Sequence, residues 1–128
     1  MTRNRKFLLD ILINERLPLN ASQIHNKNVG NFDLATVYRG LTYLEKNDYV
    51  SSFVFDCHDR GVERYYTVKK EKHEHFMHCE NCHKFIVIDY CPMNSSLKEI
   101  ESDYGFVVDE HILTLKGICR ECSKGKNV

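Results

Sequence analysis

Two pairs of closely spaced cysteines constrain this chain more than any other feature. Each pair has two residues between its cysteines, Cys79 with Cys82 and Cys119 with Cys122. This spacing lets both thiolates of a pair bind one ion from a tight turn, and two such pairs complete a closed tetrahedral zinc site. A site without an open position is structural. The spacing therefore predicts that Zn²⁺ holds the C-terminal end of the chain against an earlier segment and contributes to folding.

The length and the hydropathy pattern exclude several classes of protein. A chain of 128 residues forms one ordinary domain or two small ones, which excludes a large multidomain enzyme. No apolar run approaches the roughly 18 residues that cross a bilayer, and the start of the chain lacks the pattern of a signal sequence. We therefore expect a cytoplasmic protein with no membrane partner. In that reducing compartment, paired cysteines indicate metal binding rather than disulfides.

The charges divide the chain into two unlike halves. The whole sequence has 18 Lys and Arg against 18 Asp and Glu, a balance that by itself argues against nucleic-acid binding. Up to residue 72, however, there are 12 basic and 9 acidic residues, whereas the remainder has 6 and 9 and contains five of the seven histidines. The charged segment at residues 69–72 is the predicted joint between two domains, 1–69 and 73–128.

The N-terminal half has the order of elements typical of a winged helix. Apolar residues at helical spacing predict a helix over residues 5–15, and Asn20 with Gln23 resembles a capping box that begins a short helix to about residue 26. After a turn at residues 29–31, Asp33 can cap a third helix that ends at residues 47–48. Two runs rich in β-branched and aromatic residues, 49–55 and 63–68, then predict a hairpin.

The third helix is predicted to be amphipathic. Steps of 100° per residue place four apolar side chains on one face, namely Leu34, Val37, Leu41 and Leu44. The same steps place polar and aromatic side chains on the solvent side, namely Thr36, Arg39, Tyr43 and Lys46, with Tyr38 at the margin. From these residues alone, the exposed face fits either a solvated helix or a surface that contacts DNA.

The C-terminal half predicts a small α/β domain with strands at 73–77, 85–89 and 106–115 and a helix at 93–102. His73 and His75 alternate with other residues on the first strand, so both imidazoles project from one face. His111 lies eight residues before Cys119, so a four-cysteine site draws the last strand near His75.

A second metal site is therefore predicted from three imidazoles and one carboxylate, His73, His75, Glu99 and His111, with Glu99 on the intervening helix. Such a set suits Zn²⁺ and is less selective for Fe²⁺ or Mn²⁺. The alternative is a group of solvated surface histidines. Cys57 and Cys91 have no CxxC partner and are interpreted as packing residues.

An enzyme is not favoured. A catalytic zinc site needs an open coordination position beside a general base, and the chain contains neither a His-Glu-x-x-His nor a His-x-Glu…Pro-Cys-x-x-Cys pattern. We therefore predict no catalytic residues and no small organic substrate.

Several motifs, in order along the chain, resemble the ferric uptake regulator (Fur) family. The segment Leu34-Ala35-Thr36-Val37-Tyr38-Arg39 resembles its recognition helix, and the motifs His73-x-His75-x-x-x-Cys79-x-x-Cys82, Gly105-Phe106…His111 and Gly117-x-Cys119-x-x-Cys122 resemble its C-terminal domain. The resemblance implies an α+β protein with a winged-helix DNA-binding domain and an α/β dimerisation and metal-binding domain. It further implies a metal-responsive or peroxide-responsive repressor. Residues 87–93 resemble the zinc uptake regulator (Zur) branch.

The resemblance also separates two regulatory positions. The interdomain sensing site of the family corresponds here to residues without a comparable His or Cys, namely Glu74, Phe76, Tyr66 and Pro18. The family's other non-structural site corresponds to His73, His75, Glu99 and His111, the set already reached from strand alternation. A helix that usually precedes the position of Thr2 in the family is expected to be missing, together with any DNA contacts it makes.

These observations predict a homodimeric, metal-dependent repressor of metal uptake genes that binds double-stranded palindromic operator DNA. The predicted structural metal is Zn²⁺, and the predicted regulatory metal is Zn²⁺, Fe²⁺ or Mn²⁺. Base-edge contacts are expected from Tyr38 and Arg39, backbone contacts from Thr36 or Tyr43, and phosphate contacts from Arg5, Lys6 and Lys46. Three alternatives remain: an iron- or peroxide-responsive regulator, a zinc-stabilised dimeric scaffold or DNA-binding protein that has lost metal sensing, and a sensor at Cys57 and His58.

Overall fold

The computed structural model describes residues 1–27 and 32–124, which form two compact units, Met1–Lys69 and Lys70–Val128. Both units combine helices with a three-stranded sheet, so the α+β class expected from the sequence is confirmed. The predicted turn at residues 29–31 lies outside the described residues. No helix in the described part of the chain has the length and apolar character needed to span a membrane.

The first unit has the predicted succession of three helices and a hairpin, with one short additional strand. Its elements are α1 (Arg3–Glu15), β1 (Leu19–Asn20), α2 (Ala21–Lys27), α3 (Leu34–Lys46), β2 (Val50–Cys57) and β3 (Gly61–Val68). The strands are antiparallel in the order β1-β3-β2, and β2 faces β3 in full register from Val50↔Val68 to Cys57↔Gly61. This arrangement is a winged helix.

Side-chain caps fix where the helices of the first unit begin. Asn20 and Gln23 form the reciprocal capping box, each side chain accepting a backbone N–H from the other residue at 2.9 and 2.8 Å. The Asp33 carboxylate accepts the Thr36 N–H at 2.9 Å, and hydrogen bonds from the Thr36 side chain and from this N–H lower the pKa of the carboxyl group. Thr2 caps α1 in the same way.

The core of the first unit lies between α1, α2, α3 and the sheet. Leu8, Ile24 and Leu41 are completely buried. A Cβ placed on Gly40 would lie 2.3 Å from Leu8 Cδ1, so the absence of a side chain at Gly40 allows α1 to approach α3 closely. Of the four apolar residues predicted on one face of α3, Val37, Leu41 and Leu44 are completely buried, whereas Leu34, the first residue of the helix, is 37% exposed.

The second unit is built on a mixed sheet in the order β5-β4-β6. Its elements are β4 (His75–Cys79), β5 (Phe85–Ile88), α4 (Asn94–Tyr104), β6 (Thr114–Gly117) and α5 (Arg120–Lys124). Strand β4 is antiparallel to β5 and parallel to β6, and Cys79 faces Gly117. This register brings the end of β4 beside the segment that carries the second cysteine pair.

Two strands of the second unit have bounds that differ from those predicted. The expected strand at 106–115 is mostly irregular, because β6 begins only at residue 114 and residues 106–113 pair with no strand among the described residues. The first strand begins at His75, so His73 precedes it. The short helix α5, formed by the segment of the second cysteine pair, was not predicted from the sequence.

Candidate metal centres and nucleic-acid interface

All four cysteines of the two pairs meet at one point. Their sulfurs lie within 4.8 Å of one another, and Cys82 Sγ is 3.8 Å from Cys119 Sγ. Two sulfurs bound to a tetrahedral Zn²⁺ at about 2.3 Å would be separated by about 3.8 Å. The measured separation therefore fits a four-thiolate zinc site without rearrangement of that pair.

Backbone geometry around Cys79 favours a thiolate. The N–H groups of Cys82 and Cys119 point at its sulfur from 3.4 and 3.3 Å, and these hydrogen bonds lower the pKa of Cys79 to about 5. Lys84 and Glu121 join the two cysteine pairs from outside through an ion pair of 2.7 Å. Its hydrogen bond lowers the pKa of Glu121 to about 2.

Three histidines converge at a second point in the same unit. The ring centroids of His73, His75 and His111 are all 4.9–5.0 Å apart. His111 Nε2 is 3.2 Å from His75 Nε2. Two ring nitrogens bound at about 2.0–2.1 Å to a tetrahedral ion would be about 3.3–3.4 Å apart, so the two imidazoles already have ligand spacing.

The orientation of His75 is fixed by the backbone. Its side chain is 5% exposed, and Nδ1 lies 3.2 Å from the carbonyl oxygen of Leu113. A hydrogen bond donated by Nδ1–H to that carbonyl leaves the lone pair on Nε2, which faces His111, and metal-binding histidines are held in this way. Burial lowers the pKa of His75, with further lowering by His73 and His111. A neutral imidazole is the form that binds metal.

The fourth member of the predicted second site differs in the structure. The cluster contains Cys91 together with the three histidines, and its Sγ is 3.2 Å from His111 Nε2. Glu99 is exposed on α4 and lies outside this cluster. Cys91, which the sequence analysis interprets as a packing residue, thus lies beside the three histidines. No spacing motif indicated its position, because Cys91 lies in an irregular segment between β5 and α4.

The exposed face of α3 contains most of the predicted DNA contacts. Tyr38 is 48% exposed, and Arg39 is exposed with its Nη2 2.9 Å from Thr36 Oγ1. Arg5 of α1 stacks on the Tyr43 ring at 3.7 Å from the centroid, which links the two helices. Lys6 and Lys46 are also exposed.

The residues at the family's interdomain position contribute no metal cluster of their own among the described residues. Glu74 pairs with Lys70 at 3.2 Å, Phe76 and Tyr66 are buried in β4 and β3, and Pro18 is buried before β1. Cys57 ends β2, and His58 lies in the following turn.

Comparisons with known proteins give one consistent result. The model of the ferric uptake regulator family matches residues 1–116. The ferric uptake regulation protein of Staphylococcus epidermidis is 32% identical over 130 residues, covering 98% of this chain and 88% of that protein. The corresponding protein of Campylobacter jejuni is 32% identical over 96 residues, covering 75% of this chain and 59% of that protein. The peroxide operon regulator of Bacillus subtilis is 28% identical, covering 99% and 86%.

Solved structures show the same fold. The ferric uptake regulator of Helicobacter pylori superimposes with a TM-score of 0.77 at 22% identity, covering 96% of this chain and 81% of that one. The Vibrio cholerae ferric uptake regulator superimposes with a TM-score of 0.76 at 25% identity, covering 93% and 91%. A holo Zur structure also matches, with a TM-score of 0.64 at 20% identity, covering 96% and 86%.

Proposed function

The chain belongs to the ferric uptake regulator family, and from this premise we propose that it is a zinc-responsive repressor that binds operator DNA as a homodimer in the cytoplasm. Proteins of this family are transcriptional regulators and not enzymes. The observation that carries the proposal is the convergence of His73, His75 and His111 within the unit that follows the winged helix.

The winged helix supplies the proposed DNA-binding surface. Arg39 is exposed on α3, and its guanidinium can donate two hydrogen bonds to a guanine edge in the major groove, while Tyr38 lies beside it. We assign backbone contacts to Thr36 or Tyr43, and phosphate contacts to Arg5, Lys6 and Lys46. With only a small positive charge in this half, binding to nonspecific DNA is weak, so stable complexes need two half-sites.

Large apolar side chains exposed in the second unit support the homodimer. Tyr104 and Val107 are each 80% exposed and Ile112 is 73% exposed, and α4 buries none of its residues. Pairing with a second copy of the chain would remove such side chains from water. A two-fold pairing of identical copies would present two recognition helices to successive major grooves, which corresponds to a palindromic operator.

The two metal positions have different proposed roles. Cys79, Cys82, Cys119 and Cys122 form a closed structural zinc site, because four thiolates leave no coordination position for a signal. The site with His73, His75 and His111 is proposed as regulatory, since its residues come from two segments of the second unit, one at residues 73–75 and the other at residue 111. A bound ion changes DNA affinity only if it binds the DNA-competent conformation more tightly than the other conformation.

The donor set favours zinc as the regulatory metal over iron or manganese. Three imidazoles suit Zn²⁺, whereas Mn²⁺ favours carboxylate, carbonyl and water oxygens. The resemblance of residues 87–93 to zinc uptake regulators points in the same direction. An iron- or peroxide-responsive regulator is the alternative, and titration with each metal followed by elemental analysis distinguishes the two.

The decisive experiment measures binding to the DNA upstream of the chain's own coding sequence by electrophoretic shift. Zinc should produce the shift, and a chelator too weak to remove the four-cysteine zinc should abolish it. The double variant His73→Ala with His111→Ala should lose the zinc-dependent shift while it retains the structural zinc. His25→Ala serves as the matched control, because His25 on α2 belongs to no described metal cluster.

Each other outcome has a defined meaning. A shift that is independent of zinc would indicate a constitutive DNA-binding protein, and no shift at all would indicate a zinc-stabilised scaffold. An unchanged zinc response in the double variant would move the sensor elsewhere, for which Cys57 and His58 are the first candidates.

A further inference from the structure

We propose that Cys91, as a thiolate, is the fourth ligand of the second metal site and makes this site selective for Zn²⁺ over Mn²⁺ and Fe²⁺. The inference deepens the proposed function, because it rests on the same three-histidine site. It replaces the carboxylate of Glu99, which the sequence alone had favoured.

The distances fit a tetrahedral ion. Cys91 Sγ lies 3.2 Å from His111 Nε2, and His111 Nε2 lies 3.2 Å from His75 Nε2. A Zn²⁺ ion with bonds of about 2.3 Å to sulfur and 2.0–2.1 Å to nitrogen would separate S and N by about 3.5 Å. All four ligand atoms are within 4.8 Å of one another, so only small movements separate this arrangement from a coordination sphere.

The surroundings direct these groups at one another. His75 is 5% exposed, and its Nε2 faces the cluster because Nδ1 is held by the Leu113 carbonyl. Cys91 is half-buried in the segment between β5 and α4. Pro92 restricts the backbone of Cys91 to extended conformations, which reduces the entropy lost when the thiol is held beside His111.

Glu99 is placed less favourably than Cys91 to bind an ion at this site. Its side chain is exposed on α4 and does not belong to the cluster. Cys91 Sγ already lies 3.2 Å from His111 Nε2, whereas Glu99 is not among the ligand atoms that lie within 4.8 Å of one another. Without the carboxylate, the site also loses the hard oxygen donor that Mn²⁺ prefers, and a thiolate instead favours Zn²⁺.

The test uses Co²⁺ as a spectroscopic probe of the 128-residue chain with zinc retained in the four-cysteine site, and zinc content is measured before and after titration. Co²⁺ at the second site should produce a sulfur-to-metal charge-transfer band in the near ultraviolet. Cys91→Ser should lose this band and lower the Zn²⁺ affinity of the site by about 10-fold or more, with little effect on Mn²⁺ affinity. Glu99→Gln should leave the band and both affinities unchanged.

A second measurement needs no variant. An alkylating reagent followed by peptide mass mapping should label Cys91 when only the structural zinc is bound, and Zn²⁺ at the second site should protect it. The proposal is overturned if the band persists in Cys91→Ser, if it is absent from the wild type, or if Zn²⁺ does not protect Cys91.

The two proposals fail separately. If operator binding depends on zinc but Cys91→Ser leaves the charge-transfer band intact, the ligand assignment is wrong and the repressor function stands. If the band depends on Cys91 but operator binding does not depend on zinc, the ligand assignment stands and the regulatory function is wrong.

Discussion

Arg39 is the residue on which the proposed DNA contact depends most directly. Its guanidinium is 2.9 Å from Thr36 Oγ1, one helical turn earlier on α3. This contact restricts the rotamers of a long side chain before DNA arrives, so less conformational entropy is lost on binding. A preorganised, exposed arginine on a recognition helix can donate two parallel hydrogen bonds to a base, which lysine cannot do.

We therefore expect Arg39→Ala to weaken operator binding by about 1–3 kcal/mol, or roughly 5- to 150-fold, with less discrimination against altered operators. Arg39→Lys should recover the charge but not the discrimination. Lys46→Ala is the matched control, since loss of a phosphate contact weakens binding to all sequences and reduces its salt dependence. Unchanged operator affinity in Arg39→Ala, measured by fluorescence anisotropy with zinc content intact, would contradict the major-groove assignment.

At the scale of elements, local chemistry explains which structures could be predicted. The capping residues Asn20, Gln23 and Asp33 determine helix starts through contacts within three residues, so the sequence predicts them well. The prediction of a strand at 106–115 is wrong over most of its length. Alternation of apolar and polar residues indicates which face of a segment is apolar, but it does not indicate whether a partner strand is present. Within the described residues, 106–113 have no such partner.

The second metal site shows the same limit. The alternation of residues along a strand predicted that His73 and His75 lie together, and the positions of the four cysteines predicted that His111 lies near them. The structure places the three rings together. The choice between Glu99 and Cys91 depended instead on the path of the irregular segment before α4. No local pattern encodes that path, because it follows from tertiary packing.

The cap of α3 gives a prediction with a defined pH dependence. Hydrogen bonds from the Thr36 side chain and from the Thr36 N–H lower the folded-state pKa of Asp33 below its unfolded value of about 3.8. The carboxylate therefore stabilises the fold above that value, and the stabilisation is lost as the pH falls through the folded-state pKa. Asp33→Asn should retain most of the capping stabilisation at neutral pH, and this stabilisation should not decrease in acid. Asp33→Ala should be less stable than the wild type at neutral pH.

Urea unfolding at pH 7 and at a pH below 3.8 measures the difference. We expect the free energies of unfolding of the wild type and Asp33→Ala to differ less in acid than at neutral pH. Effects of acid on the metal sites are common to all three proteins and cancel in this comparison. An equal gap at both pH values would show that the charged cap does not stabilise α3.

At the scale of the whole molecule, the two units differ in what stabilises them. The first unit has a continuous core that includes Leu8, Ile24 and Leu41. In the described part of the second unit, the buried apolar residues are Phe76, Phe85 and the cysteines Cys79 and Cys119. A domain of this size with so few buried side chains needs a metal ion or a partner subunit in order to fold.

Removal of the proposed structural zinc should therefore unfold one unit and spare the other. We expect Cys119→Ser, or a chelator strong enough to extract the four-cysteine zinc, to abolish dimerisation and operator binding and to expose residues 70–124 to proteolysis. The first unit should retain its helices, because its core and caps involve no metal ligand. Structural zinc contributes on the order of 10 kcal/mol in small zinc-folded peptides, more than the second unit can replace by burial.

Amide hydrogen exchange resolved by mass spectrometry distinguishes the two units in a single sample. Peptides from α1 and α3 should keep their protection after zinc removal, and peptides from β4 and β6 should lose it. Cys91→Ser is the control, since it removes a thiol from the same unit without touching the four-cysteine set. If β4 remains protected after zinc removal, apolar packing and dimer contacts alone fold the second unit, and the four-cysteine site is not structural.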